Sequence, residues 1–494
     1  MNNKKNIASA IFLQIITIIS GLILPRLIIK SFGSEVNGMI SSITQFLSFI
    51  SLVEGGLGAV VLAELYKPIE QKDKTRIRLI LSECQNYFAK LSLIYILYTL
   101  GLAIIFPLIS KTNYSFLYVS SLVIILSMTT LIRYLFSITY KLYLQADQKI
   151  YIVNIVSAII IVLNLLISFI ILITYPEVHL LKIVGDVLFI IQPIIFRRFV
   201  EKKYDIKLKI KKRNNEVLKE RWSGFSQNLA YFINMNTDIV VITLLIGLGN
   251  VSVYTVYMLA INALRTFISL LSSSYQSTLG KLYALNNIEN LKKDFLRFER
   301  INWMISLICF GTCLLLINHF VKIYTAGVQD VNYYRPMFAC IIIIVNLIYC
   351  ITEPKRYLIL SMGKFKEVNY AFIGEAILNI LISIILILRF ELVGVAIGTL
   401  VAVIYRFIYL TVYLRKNSIK IEYKLYVIPI IITILYLVLN ISIYNNFLFN
   451  INTFIELIIY GAIIMAIEFI VVLLFFGIDK LLNRNVITHI GRKI

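Results

Sequence analysis

About fourteen stretches of mainly apolar residues, each close to the ~20 needed to cross a bilayer as a helix, follow one another along this chain. They run approximately over 7–29, 38–62, 88–110, 116–139, 151–173, 179–197, 223–246, 251–275, 301–323, 336–353, 367–388, 392–414, 425–444 and 454–476. In lipid, a backbone must satisfy its own N–H and C=O groups, so only helices and closed barrels span a membrane. Runs of this length select the helix. The expected fold class is therefore an all-α polytopic membrane protein of about fourteen transmembrane helices. Composition agrees: 59% of the 494 residues are hydrophobic and 15% charged. Soluble domains have about 45–50% apolar and 25% charged residues. The sixth and tenth runs are the weakest, interrupted by Asp186 and Pro193 and by Asn346.

The net charge of +22 is carried by the connections, not by a soluble basic face with a recognition motif, which argues against nucleic acid as a partner. Lysines and arginines gather in alternate connections: Lys67, Lys72, Lys74, Arg76 and Arg78, then Lys141 and Lys149, then 197–221, 281–300, 355–366 and 415–424. Cytoplasmic connections carry the excess of Lys and Arg. Both termini are therefore expected in the cytoplasm, with an even number of spans. The longest connection, 197–222, suits contact with anionic lipid headgroups or a partner protein. Residues 1–21 mimic a leader through Lys4 and Lys5. The apolar run continues past Pro25, however, and no cleavage site is evident, so this segment reads as a first spanning helix.

Few residues outside the spans carry chemistry. Cys84, Cys309, Cys313, Cys340 and Cys350 lie in or beside apolar runs and read as small buried hydrophobes, not metal ligands. His179, His319 and His489 read as interfacial. No glycine-rich phosphate loop of the GxxxxGK[ST] type is present, so no nucleotide hydrolysis and no cofactor is expected.

The chain repeats itself. Lys149, Val153-Asn154, Asn164 and Leu166-Ile167-Ser168 recur at constant offset as Lys364, Val368-Asn369, Asn379 and Leu381-Ile382-Ser383. Two homologous six-span lobes follow, with two further spans appended. An even number of spans per lobe makes the repeats parallel, with a substrate between the lobes near the midplane. The boundaries expected are a lobe over 1–200, a basic linker over 201–222, a second lobe over 223–416, and the appended helices and tail over 417–494.

Ionisable residues inside spans cost at least about 2.5–3.5 kcal/mol on insertion scales, so they face protein or water. The cations are Arg26, Arg133, Arg265 and Arg406; the acids are Glu54, Asp186, Asp238, Glu375, Glu456 and Glu468. Two readings are open. In one, they form structural interhelical pairs. In the other, the four arginines line a cavity for an anionic headgroup, since a planar guanidinium binds phosphate bidentately. Glu54, Asp238, Asp186 and Glu375 are then candidates for coupling to a proton or sodium ion. Pro25, with Gly21 one turn earlier, marks a candidate hinge that would aim Arg26, unless Arg26 is simply interfacial.

The order Leu24-Pro25-Arg26-Leu27, Phe32-Gly33, Val36-Asn37-Gly38 and Glu54-Gly55-Gly56-Leu57-Gly58, with Gly394, Ala396 and Gly398 later, resembles the bacterial polysaccharide transporters, the Wzx-type oligosaccharide flippases. The resemblance covers nearly the whole chain. It implies two six-helix lobes in a V, no enzymatic activity, and an undecaprenyl-pyrophosphate-linked oligosaccharide as substrate. It also implies a place in the bacterial cytoplasmic membrane, alongside other polysaccharide-assembly membrane proteins. An arginine late in the first helix is a functional feature of the related lipid II flippases, and Arg26 matches it in kind. The rivals are an organic-cation exporter of the same fold, which would want an acidic, aromatic cavity, and a membrane glycan polymerase or glycosyltransferase. The latter would want a larger outer connection than 324–335 or 444–453.

Overall fold

The computed structural model describes residues 2–54, 57–205, 236–417, 423–446 and 451–482. Everything regular among them is helical. The helices are α1 (Asn2–Phe32), α2 (Ser34–Ser48), α3 (Ser51–Glu54), α4 (Leu57–Glu70), α5 (Lys74–Ile109), α6 (Phe116–Ile132), α7 (Ile138–Ala146), α8 (Ile150–Thr174) and α9 (Val178–Tyr204). After these come α10 (Asn236–Leu245), α11 (Leu248–Ala284), α12 (Ile288–Tyr324), α13 (Pro336–Ser361), α14 (Phe365–Asn417), α15 (Lys424–Asn446) and α16 (Phe454–Leu482).

Among the described residues, twelve helical segments are long and apolar enough to cross a membrane. One of them, α14, has 53 residues, or about 80 Å at 1.5 Å per residue, far more than one crossing needs. Its backbone leaves helical geometry at Glu391 (φ 49, ψ −130), and an added Cβ on Gly394 would collide with the Leu386 carbonyl. The chain reverses there, so α14 supplies both the eleventh and the twelfth expected spans. The described part of the seventh is the short apolar helix α10; the rest of run 223–246 lies outside the described residues. Each of the expected spans thus has a helical counterpart. The surface also fits a bilayer: Leu117 is 78% exposed, Leu388 75% and Ile455 73%. Large apolar side chains left out at that level need an apolar solvent.

The chain divides into two compact units, Met1–Phe232 with Ile242–Ser252, and Ile233–Val241 with Val253–Ile494. The expected linker 201–222 lies mostly outside the described residues. Within the first unit, α1 packs on α8, α5 on α6, and α9 on α6 and α8 around a core that includes Met39, Ile43, Phe88, Phe106, Tyr134 and Phe196. Within the second, α13 packs between α12 and α14, and the appended helices α15 and α16 pack on α12.

Several short motifs have packing reasons. Gly33, with φ 85, makes the turn between α1 and α2, a conformation glycine adopts without penalty. A Cβ on Gly38 would overlap the carbonyl of Leu248, and Asn37 Nδ2 donates to Ser252 Oγ over 2.8 Å. Ser42 and Thr243 share a hydrogen bond of 2.7 Å one turn further on. The Val36-Asn37-Gly38 motif is therefore where α2 receives the 242–252 segment within the first unit. Gly398 likewise lies against Ser383.

Candidate functional site

In the second unit, α10 presents Asp238 into the protein, where it is 9% exposed. Three neutral side chains approach its carboxylate: Tyr254 from α11 donates over 3.0 Å and Asn379 Nδ2 from α14 over 2.9 Å, while Thr399 Oγ1 lies 3.3 Å away. Thr399 has one hydroxyl proton and also lies 2.9 Å from the Val395 carbonyl, so the two acceptors compete for it. Arg265 on α11 is close enough to Asp238 to interact electrostatically. A carboxylate in apolar surroundings is stable only with such donors.

A second group is built on one ring. The guanidinium of Arg265 sits 4.0 Å from the centroid of Tyr349 on α13, and that of Arg406 on α14 sits 4.3 Å from it. Arg406 also lies 5.1 Å from the Phe372 ring centroid and pairs with Glu375, with Nη1 3.1 Å from Oε2. Neither member of that pair is more than 1% exposed. Glu353 and Arg356, one turn after Tyr349, form a further buried pair on α13. Two candidates read from sequence as performing opposite tasks, anion binding and ion coupling, are thus each other's partner. Arg265 remains half-buried, between Asp238 and Tyr349.

The first unit has its own cluster where two helices are irregular. The second span breaks at Phe49–Ile50, between α2 and α3, and a turn of π-helix occupies Arg133–Ser137 between α6 and α7. These breaks meet: Tyr134 donates its hydroxyl to Glu54 Oε2 over 3.1 Å, and Arg133, exposed, lies 5.4 Å from the Tyr134 ring centroid. Lys141 is within electrostatic reach of both Arg133 and Glu54. π-turns recur at functional sites because they re-aim side chains out of helical register. Asp186 on α9 accepts a hydrogen bond from Thr129 of α6, apart from this group. Arg26 is half-buried on α1. Helix α1 runs through Pro25, and no atom lies within 4 Å of a Cβ built on Gly21. The Gly55-Gly56 pair lies outside the described residues, as does His489.

The repeated asparagines occupy related settings. Asn379 faces Thr399 on the next pass, and Asn164 Oδ1 would lie 3.1 Å from a Cβ on Gly185 of α9. Asn154 donates to Ser9 of α1 over 3.1 Å.

One site escaped the reading from sequence. Lys355, counted there among loop cations, is fully buried on α13, its Nζ 2.7 Å from Oε1 of Glu299 on α12. Its ammonium lies 4.2, 4.8 and 5.7 Å from the ring centroids of Phe407, Tyr426 and Trp303. Tyr426 on α15 donates to Glu299 over 3.0 Å, and Trp303 Nε1 donates to Thr433 over 2.8 Å. The appended helix is therefore fastened to α12 by polar bonds around a caged lysine. The overlooked signal was a polar stripe: Glu299, Asn302, Trp303 and Ser306 share one face at helical spacing, all buried.

No family model matches the sequence, and no curated protein sequence does. Solved structures do. The lipid II flippase MurJ, in an inward closed conformation, superposes with a TM-score of 0.71 at 17% identity, over 98% of this chain and 99% of its own. An inward-facing multidrug resistance MATE family transporter of the MOP superfamily gives 0.61 at 15% identity, over 82% and 96%. A MOP superfamily transporter from Pyrococcus furiosus, described as having a binding pocket of reversed polarity, gives 0.52 at 15% identity, over 85% and 97%. The MurJ superposition is too complete to omit α15 and α16, whereas the MATE superposition covers 82% of the chain. The chain is thus a multi-pass, all-helical membrane protein with the fold of the MOP-superfamily transporters.

Proposed function

We propose that this protein is a flippase that carries an undecaprenyl-pyrophosphate-linked oligosaccharide from the cytoplasmic to the outer leaflet for cell-surface polysaccharide synthesis. The observation that carries the reading is the likeness to a lipid II flippase over 98% of this chain, appended helices included, against 82% for the multidrug transporter. The arginines inside the spans support it, because a pyrophosphate needs cationic forks and an organic cation does not. In this reading the chain sits in the bacterial cytoplasmic membrane with both termini inside, as its charge bias requires.

The roles divide as follows. The tight mutual pairing of Arg406 and Glu375 favours a structural task for both. Arg26, Arg133 and Arg265 then bind the pyrophosphate, the last steered by Tyr349. Asp238, ringed by neutral donors, is the preferred coupling group, with Glu54 second and Asp186 third. The headgroup crosses by alternating access while the polyprenyl chain stays in lipid, with Gly21 and Pro25 as hinge.

The test is transport of a radiolabelled polyprenyl-pyrophosphate oligosaccharide in proteoliposomes, with and without proton and sodium gradients. Protein-dependent movement to the far leaflet supports the proposal. Efflux of an organic cation with no movement of several glycolipids supports the MATE-like alternative, which the 0.61 superposition keeps in view.

A further inference from the structure

The second unit contains a cavity of about 1130 Å³ that none of the roles above uses. It lies at the end of α12, under the 325–335 connection, with Tyr444 of α15 and Ile451 and Asn452 before α16 on its wall. The appended helices therefore contribute to it. The 325–335 connection lies on the side opposite the basic connections.

Its chemistry is distinctive. Tyr334 and Tyr444 bring their hydroxyls to 3.4 Å, and Asn318 Nδ2 donates to Tyr444 over 2.7 Å. Asn318 is itself fixed by Tyr257, whose hydroxyl lies 3.1 Å from its Oδ1. Tyr334 is 58% exposed, so its ring is presented and not packed. Gln329, Asn332 and Asn452 add amides to the same wall. Among the described residues no carboxylate lines the cavity. Pockets of about 300–1,000 Å³ hold ligands well above the size of one sugar ring.

A sugar ring offers an apolar C–H face edged with hydroxyls. A presented tyrosine ring covers such a face, and amides both donate to and accept from hydroxyls. An anion would find less. Lys322 and His319 are the basic groups of the lining, with no arginine fork among the described residues. The carboxyl end of α12 turns its partial negative charge to this side. The opposite partial charge, at the start of α16, is already answered by Glu456, whose Oε2 accepts from the backbone N–H of Asn452 over 2.8 Å and of Thr453 over 3.2 Å.

We propose that this cavity is a binding subsite for the uncharged oligosaccharide part of the substrate, on the extracytoplasmic side, where it would receive the glycan as the headgroup leaves. The proposal rests on the flippase reading for its biological role and on the cavity alone for its chemistry.

The test uses full-length protein in nanodiscs and two probes read by titration calorimetry. One is the oligosaccharide released by mild acid from the polyprenyl-linked pool of the expressing cells, freed of lipid and phosphate. The other is inorganic pyrophosphate. We expect the glycan to bind wild type and Tyr334→Phe alike and Tyr334→Ala at least tenfold more weakly, with pyrophosphate unable to compete. No glycan binding by wild type, equal binding by Tyr334→Ala, or displacement by pyrophosphate overturns the subsite. The flippase reading is judged separately, by leaflet transfer of the intact glycolipid. Transfer without glycan binding removes the subsite and leaves the flippase. Tyr334-dependent binding without transfer keeps the subsite and removes the flippase.

Discussion

Arg406 reaches Glu375 with Nη1 3.1 Å from Oε2, inside a unit where neither side chain meets solvent or lipid. Its Nε and Nη2 have no hydrogen-bond acceptor among the described residues, and the rings of Tyr349 and Phe372 face the guanidinium instead. A buried pair of this kind does little for stability as a pair, but removing one member strands a charge. Glu375→Gln should therefore destabilise by about 3–5 kcal/mol. The double variant Glu375→Gln with Arg406→Met should recover most of that loss. Thermal unfolding of detergent-purified protein measures both. A single variant as stable as wild type would show the pair to be unnecessary to folding.

Asp238 is held by Tyr254, Asn379 and Thr399, all neutral. Asp238→Asn preserves shape and removes the charge. The expected outcome is a folded protein whose leaflet transfer no longer responds to an imposed proton or sodium gradient. An unchanged gradient response removes Asp238 from coupling, and Glu54→Gln becomes the next variant to measure.

Arg265 lies over the Tyr349 ring, 4.0 Å from its centroid, and within reach of Asp238. Lysine keeps the charge and loses the planar fork. Arg265→Lys should lower transfer by about tenfold, the equivalent of roughly 1.4 kcal/mol, and Arg265→Ala and Arg26→Ala should abolish it at matched protein levels. Normal glycan export by both alanine variants would take these residues out of the substrate site.

Lys355 occupies an aromatic cage completed by the appended helix α15. Lys355→Ala leaves Glu299 buried without its counter-charge and should cost about 3–5 kcal/mol. Trp303→Phe removes only the bond to Thr433 and should cost about 0.5–1.5 kcal/mol. Thermal unfolding of detergent-purified protein is the readout. A larger loss in Lys355→Ala than in Trp303→Phe fits the cage as the fastening point; equal losses do not.

Orientation is open to direct measurement. In a variant whose native cysteines are replaced by serine, Asp330→Cys should react with a membrane-impermeant maleimide added outside intact cells. Gln71→Cys should react only after the membrane is opened. The reverse pattern would invert the proposed topology and move the 1130 Å³ cavity to the cytoplasmic side.

Much of this was legible without coordinates, for a physical reason. A spanning helix satisfies its backbone within itself and buries its side chains in lipid, so its existence depends only on local sequence. The runs over 367–388 and 392–414 were separable by eye although they join in one continuous element broken at Glu391. The glycines of Phe32-Gly33 and Val36-Asn37-Gly38 stood out because backbone geometry and close approach leave no alternative. The in-membrane charges were equally visible, since each is expensive wherever it points.

Partner choice was not visible. Asp238 and Asn379 are 141 positions apart, Arg406 and Glu375 meet across a reversal, and Lys355 finds Glu299 and Tyr426 on two other helices. The charge on each side chain is a property of the residue, but its neighbours are set by how the helices rotate and pack. The sequence by itself determined that the chain must cross a bilayer many times as helices with ten costly ionisable groups inside. Only the tertiary structure decided which of those groups neutralise one another and which are met by neutral donors, because the energy of a buried charge depends on distances that no local pattern encodes.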